Sequence, residues 1–280
     1  MPAVRARSSR TSTSRSRGIE GETMRIRSWN GWLSLLSVAV VLALWRISTA
    51  WGWVDPLFVP PPHRVWDAFL EIVREGYKGS PLAKHIGESL KRLILAFALA
   101  AATAIPLGLA SGYAPKFRAL IDPLVEFYRP LPPLAYYTLL VLWLGIGDSS
   151  KIALLYLAAF APLYIAVSAG VARIPRDRIL AARSLGAGRG SVFLHVVFPS
   201  CLPDIFTGIR TAVGMTYTTL VAAEMVAAVS GMGWMVLDAS KFLRSDVIFV
   251  GIILMGLIAV LLDLLIRFAE RRQVPWNGKE

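Results

Sequence analysis

The chain contains 280 residues, of which 55% are hydrophobic and only 17% are charged, and its formal net charge is +12. A soluble domain usually carries about 25% charged residues, so the excess of apolar residues requires a very large core or contact with lipid. Cys201 is the single cysteine, which excludes an intramolecular disulfide and argues against a cysteine-based metal site.

Apolar runs as long as a bilayer is thick recur along the chain. A transmembrane helix needs roughly 20 predominantly apolar residues. Leu93–Ala110 and Ile152–Val171 have about this length and contain no charged residue. Four further runs complete a set of six: Trp32–Ala50, Leu131–Gly147, Ile205–Ala228, and Val247–Leu262 extending to Ile266. The sequence therefore predicts an all-α membrane protein with about six transmembrane helices.

The first 30 residues differ from the rest because they are rich in Arg and Ser and poor in large apolar side chains. Such a segment cannot bury enough surface to offset its chain entropy, so residues 1–30 are predicted to be a disordered basic tail. The composition resembles an organellar transit peptide. We favour a bacterial start at Met24, just before a first transmembrane helix at 31–54.

The basic residues indicate the orientation of the chain. Lys and Arg collect in the cytoplasmic loops of membrane proteins. With the N-terminus inside, 19 of the 30 Lys and Arg fall in the cytoplasmic segments 1–31, 113–132, 173–203 and 267–280. We therefore expect a multi-pass protein with both termini in the cytoplasm. This distribution accounts for the positive charge without a nucleic-acid partner.

Two segments between the predicted spans have helical character. The external loop at 55–88 contains Val65–Glu75, whose apolar residues share one face and predict an amphipathic helix on the membrane surface. A short helix is also predicted between Pro115 and Pro130, ending in a proline-rich turn. Residues 89–280 would then form the core transmembrane domain.

The segment at 178–203 predicts a helix–turn–helix elbow. Arg178–Leu185 favours a helix, and Gly186 can end it in the left-handed conformation that only glycine adopts without strain. Val192–Phe198 is a second apolar stretch, which Pro199 and Pro203 are predicted to close. A partner protein could clasp such an elbow, and a push there would move the two attached spans.

This elbow resembles the signature loop of binding-protein-dependent ABC importer permeases. In that family, Glu-Ala-Ala is followed by a Gly and, further on, by two apolar residues one position apart and a Pro. Here Ala181, Ala182 and Gly186 match, and Val196, Phe198 and Pro199 close the motif, but Leu180 replaces the Glu. The resemblance implies the type I importer (MetI-like) architecture and a loop that docks into a cytoplasmic ATPase. It assigns that role to Leu180, Ala181, Ala182, Arg183, Ser184, Leu185, Gly186, Ala187 and Pro199.

Further motifs extend the resemblance to about residues 55–278. Arg129–Ala135, Leu144–Lys151, Thr218–Met225 and Gly231–Val236 are similar to the taurine and alkanesulfonate branch of the family. The C-terminal Arg271–Trp276 is similar to taurine permeases in particular. Permeases for nitrate, aromatic sulfonates and vitamin precursors share much of this pattern, so they remain alternatives for the substrate.

The resemblance also implies the assembly and its cycle. Two copies of this chain, an ABC ATPase dimer and one extracytoplasmic substrate-binding protein would act together in the bacterial cytoplasmic (inner) membrane. ATP and Mg would bind to the ATPase, which leaves this chain without a cofactor or an enzymatic activity; the chain has no Walker motif. ATP binding would draw the coupling loops together and open the permease outward, and hydrolysis would reset it.

Polar residues of the fifth predicted span are the candidates for the translocation pathway: Thr216, Thr218, Thr219 and Glu224. An ionisable residue within a span is a functional candidate by default. The alternatives are hydroxyls that hold helices together and an interfacial carboxylate at the membrane edge. Asp263 is expected to pair with Arg267 one turn later.

Two other classes of membrane protein fit the sequence less well. An ion-coupled secondary transporter often shows inverted repeats and buried acids near the bilayer centre. We find no repeat in the sequence, and Glu224 lies towards one end of its span. A membrane enzyme would need His, Asp, Glu or Ser clustered at one depth, and the sequence shows no such cluster.

Overall fold

The computed structural model describes Trp32, Leu33 and residues 35–276. The predicted disordered tail and the choice of start at Met24 lie outside these residues. The described part is helical, apart from loops and one isolated β-bridge between Tyr77 and Ser80. Its helices are α1 (Leu35–Ala50), α2 (Pro62–Glu75), α3 (Leu82–Tyr113), α4 (Pro115–Tyr128), α5 (Pro133–Leu144), α6 (Asp148–Ala172), α7 (Arg176–Ser184), α8 (Arg189–Val192), α9 (Phe198–Ala227), α10 (Met232–Lys241) and α11 (Ser245–Gln273).

The chain divides after Arg64 into two compact units. In the first unit the loop after α1 folds back, and the Trp45 indole donates a hydrogen bond of 3.1 Å to the Pro60 carbonyl. The second unit holds the helices from the body of α2 to α11. Helix α2 covers the predicted amphipathic segment and buries Val65, Ala68 and Ile72 along one face.

Four of the described helices are long and apolar enough to cross a membrane. They are α3, α6, α11 and a helical stretch Arg189–Ala227 that includes α8 and α9. Two shorter apolar helices, α1 and α5, correspond to the first and third predicted spans. The all-α membrane fold predicted from the sequence is confirmed.

Helices α3, α6 and α9 form the core of the second unit through small side chains. Ala100 and Ala104 of α3, Ala159 of α6 and Ala212 of α9 are fully buried in one apolar cluster. Glycines bring α3 and α6 closer still, because a Cβ on Gly112 would lie 2.4 Å from the Cβ of Val171. Small residues that let backbones approach are typical of helix packing in membranes.

We expect Gly112→Ala to lower the free energy of unfolding by about 1–3 kcal/mol, because the added methyl group would overpack the α3–α6 contact. Gly87 in the same helix is the matched control, since a Cβ added there would have no other atom within 4 Å. There Gly87→Ala should stabilise by up to about 1 kcal/mol through helix propensity. Thermal unfolding of the purified chain in detergent measures both, and equal midpoints for the two variants would contradict this packing.

Helices α4 and α5 together form an interrupted crossing. The sequence placed residues 113–132 in a cytoplasmic segment, and the predicted short helix is present as α4. However, the Tyr128 hydroxyl at its end donates to the Leu157 carbonyl at 3.5 Å. Leu157 is the tenth residue of the 25-residue α6. The break at 129–132 therefore lies beside the middle of α6, and the cytoplasmic placement of Arg129 stays a prediction.

Candidate functional site

The first half of the elbow is built as the sequence predicts. Helix α7 ends at Ser184, and Gly186 adopts a φ of +85°. The Gly186 N–H donates to the Arg183 carbonyl at 2.9 Å, and the Ala187 N–H donates to the Ala182 carbonyl at 3.1 Å. This pair of bonds is the Schellman motif, which satisfies the last carbonyls of a helix. The turn is therefore fixed by the glycine.

The second half differs from the prediction, because Pro199 and Pro203 do not close the helix. Helix α8 continues through a π-helical turn at Phe193–Val197 directly into α9. In that turn the Phe198 N–H donates to the Phe193 carbonyl, five residues earlier. Proline lacks an N–H and cannot complete the normal ladder, and a wide turn just before Pro199 accommodates that loss. The elbow is thus joined rigidly to a long spanning helix.

The elbow presents two different faces. Ile179, Ala182 and Ala187 pack against the main apolar cluster of the bundle. The opposite surface, here called the outward face, consists of Leu180, Ala181, Ser184 and Leu185, and all four residues are exposed. Leu185 is 89% exposed at the tip of the turn. Leu180 and Leu185 give this face two large exposed apolar side chains, and exposed apolar surface of this kind is available for another protein to cover.

A cleft of about 510 Å³ lies behind the outward face. Arg176, Arg183 and Arg189 line it together with apolar residues that include Tyr113 and Ile179. Arg183, one of the predicted coupling residues, therefore lines the cleft on the bundle side of the elbow. Pro199, another of them, is partly buried in the first turn of α9. The predicted coupling set thus divides between the outward face and its support.

The pathway candidates on α9 face different surroundings. Thr216 is buried and donates to the Ala212 carbonyl at 2.7 Å, and buried Thr219 donates to the Met215 carbonyl at 2.8 Å. Thr218 is exposed on the other side of the helix. The structure does not bring the three hydroxyls together, and their part in a pathway stays a prediction.

Glu224 lies at the centre of a buried charge network near the end of α9, and its depth in the membrane stays a prediction. It is 0% exposed. The Arg92 Nη1 donates to its Oε1 at 2.8 Å, and the Ser89 hydroxyl lies 2.8 and 2.9 Å from its two oxygens. The Gly233 N–H donates to Oε2 at 3.0 Å. These contacts join α3, α9 and the start of α10 through one carboxylate.

Arg92 extends the network to the start of α6 and to the turn between α9 and α10. Its Nε donates to Asp148 Oδ1 at 2.8 Å, at the first residue of α6, and its Nη1 donates to the Ser230 carbonyl at 3.0 Å. Only 4% of the Arg92 side chain is exposed. Buried charges are stable only when paired and hydrogen-bonded, as these are. The network therefore anchors the turn between α9 and α10.

Glycines let that turn approach the carboxylate. Gly231 has a φ of +121°, and a Cβ there would lie 2.4 Å from the Glu224 Cδ. A Cβ on Gly233 would lie 2.5 Å from the Val221 carbonyl oxygen. The two glycines of the motif at Gly231–Val236, which carries part of the family resemblance, are therefore required for the turn to pack against Glu224 and α9.

A second set of contacts holds α10 to α3 and to the loop before it. The Tyr77 hydroxyl donates to Asp238 Oδ2 at 2.9 Å, and the His85 ring stacks on Trp234 with ring centroids 5.5 Å apart. Burial, together with the hydrogen bond to Asp238, raises the pKa of Tyr77 well above its ordinary value. The tyrosine therefore stays protonated and keeps donating at physiological pH.

Sequence reasoning missed Arg92 and Asp148, which the predicted topology places among the external loop charges. An arginine at the start of an apolar run, one turn after Glu88, is the signal that could have identified Arg92. The predicted pair of Asp263 and Arg267 is confirmed at 2.7 Å. Asp263 also accepts from Arg210 at 2.6 Å, which ties α11 to α9.

The sequence of this chain matches one known protein family. Residues 104–275 match the family described as "Binding-protein-dependent transport system inner membrane component". The matched range includes the elbow and Glu224, whereas Arg92 and Ser89 precede it.

Individual relatives match over most of their length. The chain is 44% identical over 248 residues to the taurine transport system permease protein TauC of Escherichia coli K12. The aligned region covers 88% of this chain and 90% of the relative. It is 34% identical to the putative aliphatic sulfonates transport permease protein SsuC of the same organism, with 91% and 93% covered. The nitrate import permease protein NrtB of Synechocystis is 28% identical, with 87% and 90% covered.

A solved structure shares the fold. A chain of the MetNI methionine ABC transporter in inward-facing conformations superposes with a TM-score of 0.58. The match covers 69% of this chain and 94% of that chain, at 20% identity. The identity is low, so this likeness supports the fold alone.

Proposed function

Because the chain belongs to the family of binding-protein-dependent transport system inner membrane components, we propose that it carries taurine or a related alkanesulfonate across the membrane. The family consists of multi-pass inner-membrane transport subunits, and this chain is an ABC importer permease of the taurine and sulfonate type, not an enzyme. The higher identity to the taurine permease than to the sulfonate or nitrate relatives supports the narrower substrate.

The outward face of the elbow is the proposed docking surface for the ATPase. The observation that carries this proposal is the exposed Leu185 on a turn fixed by Gly186 and backed by the bundle core. Burying an exposed leucine contributes about 1.5–3 kcal/mol, which is enough to matter at an interface. ATP and Mg would bind to the ATPase dimer, and this chain would hold no cofactor of its own.

A displacement at the elbow would reach the opposite end of the molecule through one helix. The stretch Arg189–Ala227 is helical over 39 residues, from the elbow to the turn that Glu224 anchors. A helix of that length is about 58 Å long, since each residue rises about 1.5 Å. Closure of the ATPases on ATP would draw the elbows together and tilt this helix. The turn and α10 would follow because the charge network attaches them.

The proposed assembly contains two copies of this chain, the ATPase dimer and an extracytoplasmic substrate-binding protein. A homodimer is the simpler arrangement, because one chain supplies one half of a two-fold pathway. The elbow and both termini would face the cytoplasm, in agreement with the distribution of Lys and Arg.

Uptake of radiolabelled taurine tests the substrate. We expect deletion of this chain in its native cells to abolish high-affinity uptake and the wild-type chain to restore it, with unlabelled alkanesulfonates competing. A chain with Arg74→Gln, a substitution at an exposed position of α2, is the matched control and should restore uptake fully. Taurine uptake that persists in the deletion strain would refute this substrate, and nitrate and aromatic sulfonates would be assayed next.

A further inference from the structure

A cavity of about 260 Å³ opens at the break between α4 and α5. Its lining comes from the break and from four helices, and includes Tyr128, Arg129, Tyr136, Ala158, Pro162 and Met215. The sequence motif at Arg129–Ala135, which carries part of the family resemblance, lies at this break. The cavity gives that motif a place in the molecule.

The cavity lies beside the middle of α6, a helix that is long and apolar enough to cross a membrane. Its wall on α6 includes Ala158 and Pro162, and both residues are near the middle of the 25-residue helix. Irregular backbone at membrane depth is tolerated only where protein buries it or where it lines a water-filled cavity. An arginine at that depth is expensive unless it meets an anion or water. The break and its arginine therefore point to a polar ligand.

The cavity offers hydrogen-bond donors and positive charge without a carboxylate. Within the described part of the chain, the Arg129 guanidinium and the Tyr136 hydroxyl show no ion pair or hydrogen bond. No Asp or Glu is among the lining residues. The remaining wall is apolar, which suits the short carbon chain of an organic anion.

A stripe of α9 leads away from the cavity. Met215 lines the cavity, and exposed Thr211, Gly214 and Thr218 lie on the same side of the helix, three or four residues from one another. Both threonines donate to backbone carbonyls of their own helix. A hydroxyl-bearing stripe beside a cationic cavity is compatible with a hydrated path.

We propose that Arg129 and Tyr136 bind the sulfonate group of the substrate while it crosses the membrane. The guanidinium presents paired N–H donors that match a tetrahedral oxyanion, and the phenol adds a third donor. The permease itself would then select for molecules that carry a sulfonate group after the binding protein has released them. This proposal rests on the proposed function, because it takes the substrate to be an alkanesulfonate.

The test uses the whole transporter in proteoliposomes, with taurine uptake and ATP hydrolysis measured in parallel. We expect Arg129→Gln to lower uptake about 10- to 100-fold, because charged hydrogen bonds to the sulfonate are lost. Hydrolysis stimulated by the loaded binding protein should stay at the wild-type level. Arg129→Lys should retain more uptake than Arg129→Gln, and Tyr136→Phe should lower uptake about fivefold. Exposed Arg74 on α2 is the matched control, and Arg74→Gln should have no effect.

Two results would overturn the site. One is wild-type uptake by Arg129→Gln; the other is a parallel loss of uptake and hydrolysis in Arg129→Gln and Arg129→Lys, which indicates a structural role. If the Arg129→Gln protein does not accumulate in the membrane, the Tyr136→Phe variant serves as the test instead. Wild-type uptake by Tyr136→Phe would then refute the site.

Failure of the proposed function would look different, because the wild-type transporter would then not carry taurine. The comparison would be repeated with the substrate that it does carry. An anion whose uptake depends on Arg129 would support the site, and a substrate without negative charge would overturn it.

Discussion

Replacing Leu185 with glutamate is expected to lower ATP-driven uptake at least about tenfold, because a contact worth about 1.5–3 kcal/mol is lost and a charge must be desolvated. Leu185 is 89% exposed and contributes almost nothing to the fold of the isolated chain. The variant should therefore reach the membrane at wild-type levels and unfold at the wild-type temperature. Co-purification with the tagged ATPase should be lost together with uptake.

Leu57 provides the control for this substitution, since it is an exposed leucine in the loop before α2. Leu57→Glu should leave uptake and co-purification unchanged. Leu185→Ala should fall between wild type and Leu185→Glu, because it removes apolar area without adding a charge. A Leu185→Glu chain that retains the ATPase and transports normally would show that the outward face is not the docking surface.

Removing the carboxylate of Glu224 should lower the free energy of unfolding by about 3–5 kcal/mol, because Glu224→Ala leaves the Arg92 charge buried with one partner fewer. The Ser89 hydroxyl and the Gly233 N–H would also lose their acceptor. Thermal unfolding in detergent should show a midpoint several degrees lower. Glu75→Ala, at the exposed end of α2, is the matched control and should leave the midpoint unchanged.

A double substitution separates pairing from packing. Replacing both Arg92 and Glu224 with methionine removes the two charges together. The loss of unfolding free energy in the double variant should therefore be smaller than the sum of the losses in the two single variants. Additive losses would mean that the two residues do not interact. A Glu224→Ala midpoint equal to that of Glu75→Ala would contradict the anchoring role of the network.

The elbow could be predicted from local sequence because its geometry depends on neighbouring residues. Gly186 alone permits the positive φ that reverses the chain, and Ala182 and Ala187 are close enough in sequence to form the motif around it. The two prolines were misinterpreted as helix ends. A π-helical turn can carry a helix through a proline, and nothing in the local composition distinguishes that turn from a stop.

The buried network and the interrupted crossing could not be predicted in the same way. Arg92, Asp148 and Glu224 lie on three helices, 56 and 76 residues apart in sequence, so only the packing of α3, α6 and α9 brings them together. The proline cluster at 130–133 has the composition of a surface turn. Its depth is set by the contact of Tyr128 with the middle of α6, which is a tertiary interaction.

The most direct test of the central claim is taurine accumulation in proteoliposomes that contain this chain and its ATPase. With the loaded binding protein on the substrate side, accumulation should require ATP and should stop when the ATPase carries a substitution that prevents hydrolysis. A proton gradient should have no effect on it. Uptake by this chain alone, driven by that gradient and indifferent to ATP, would contradict its role as the permease of an ATP-driven importer.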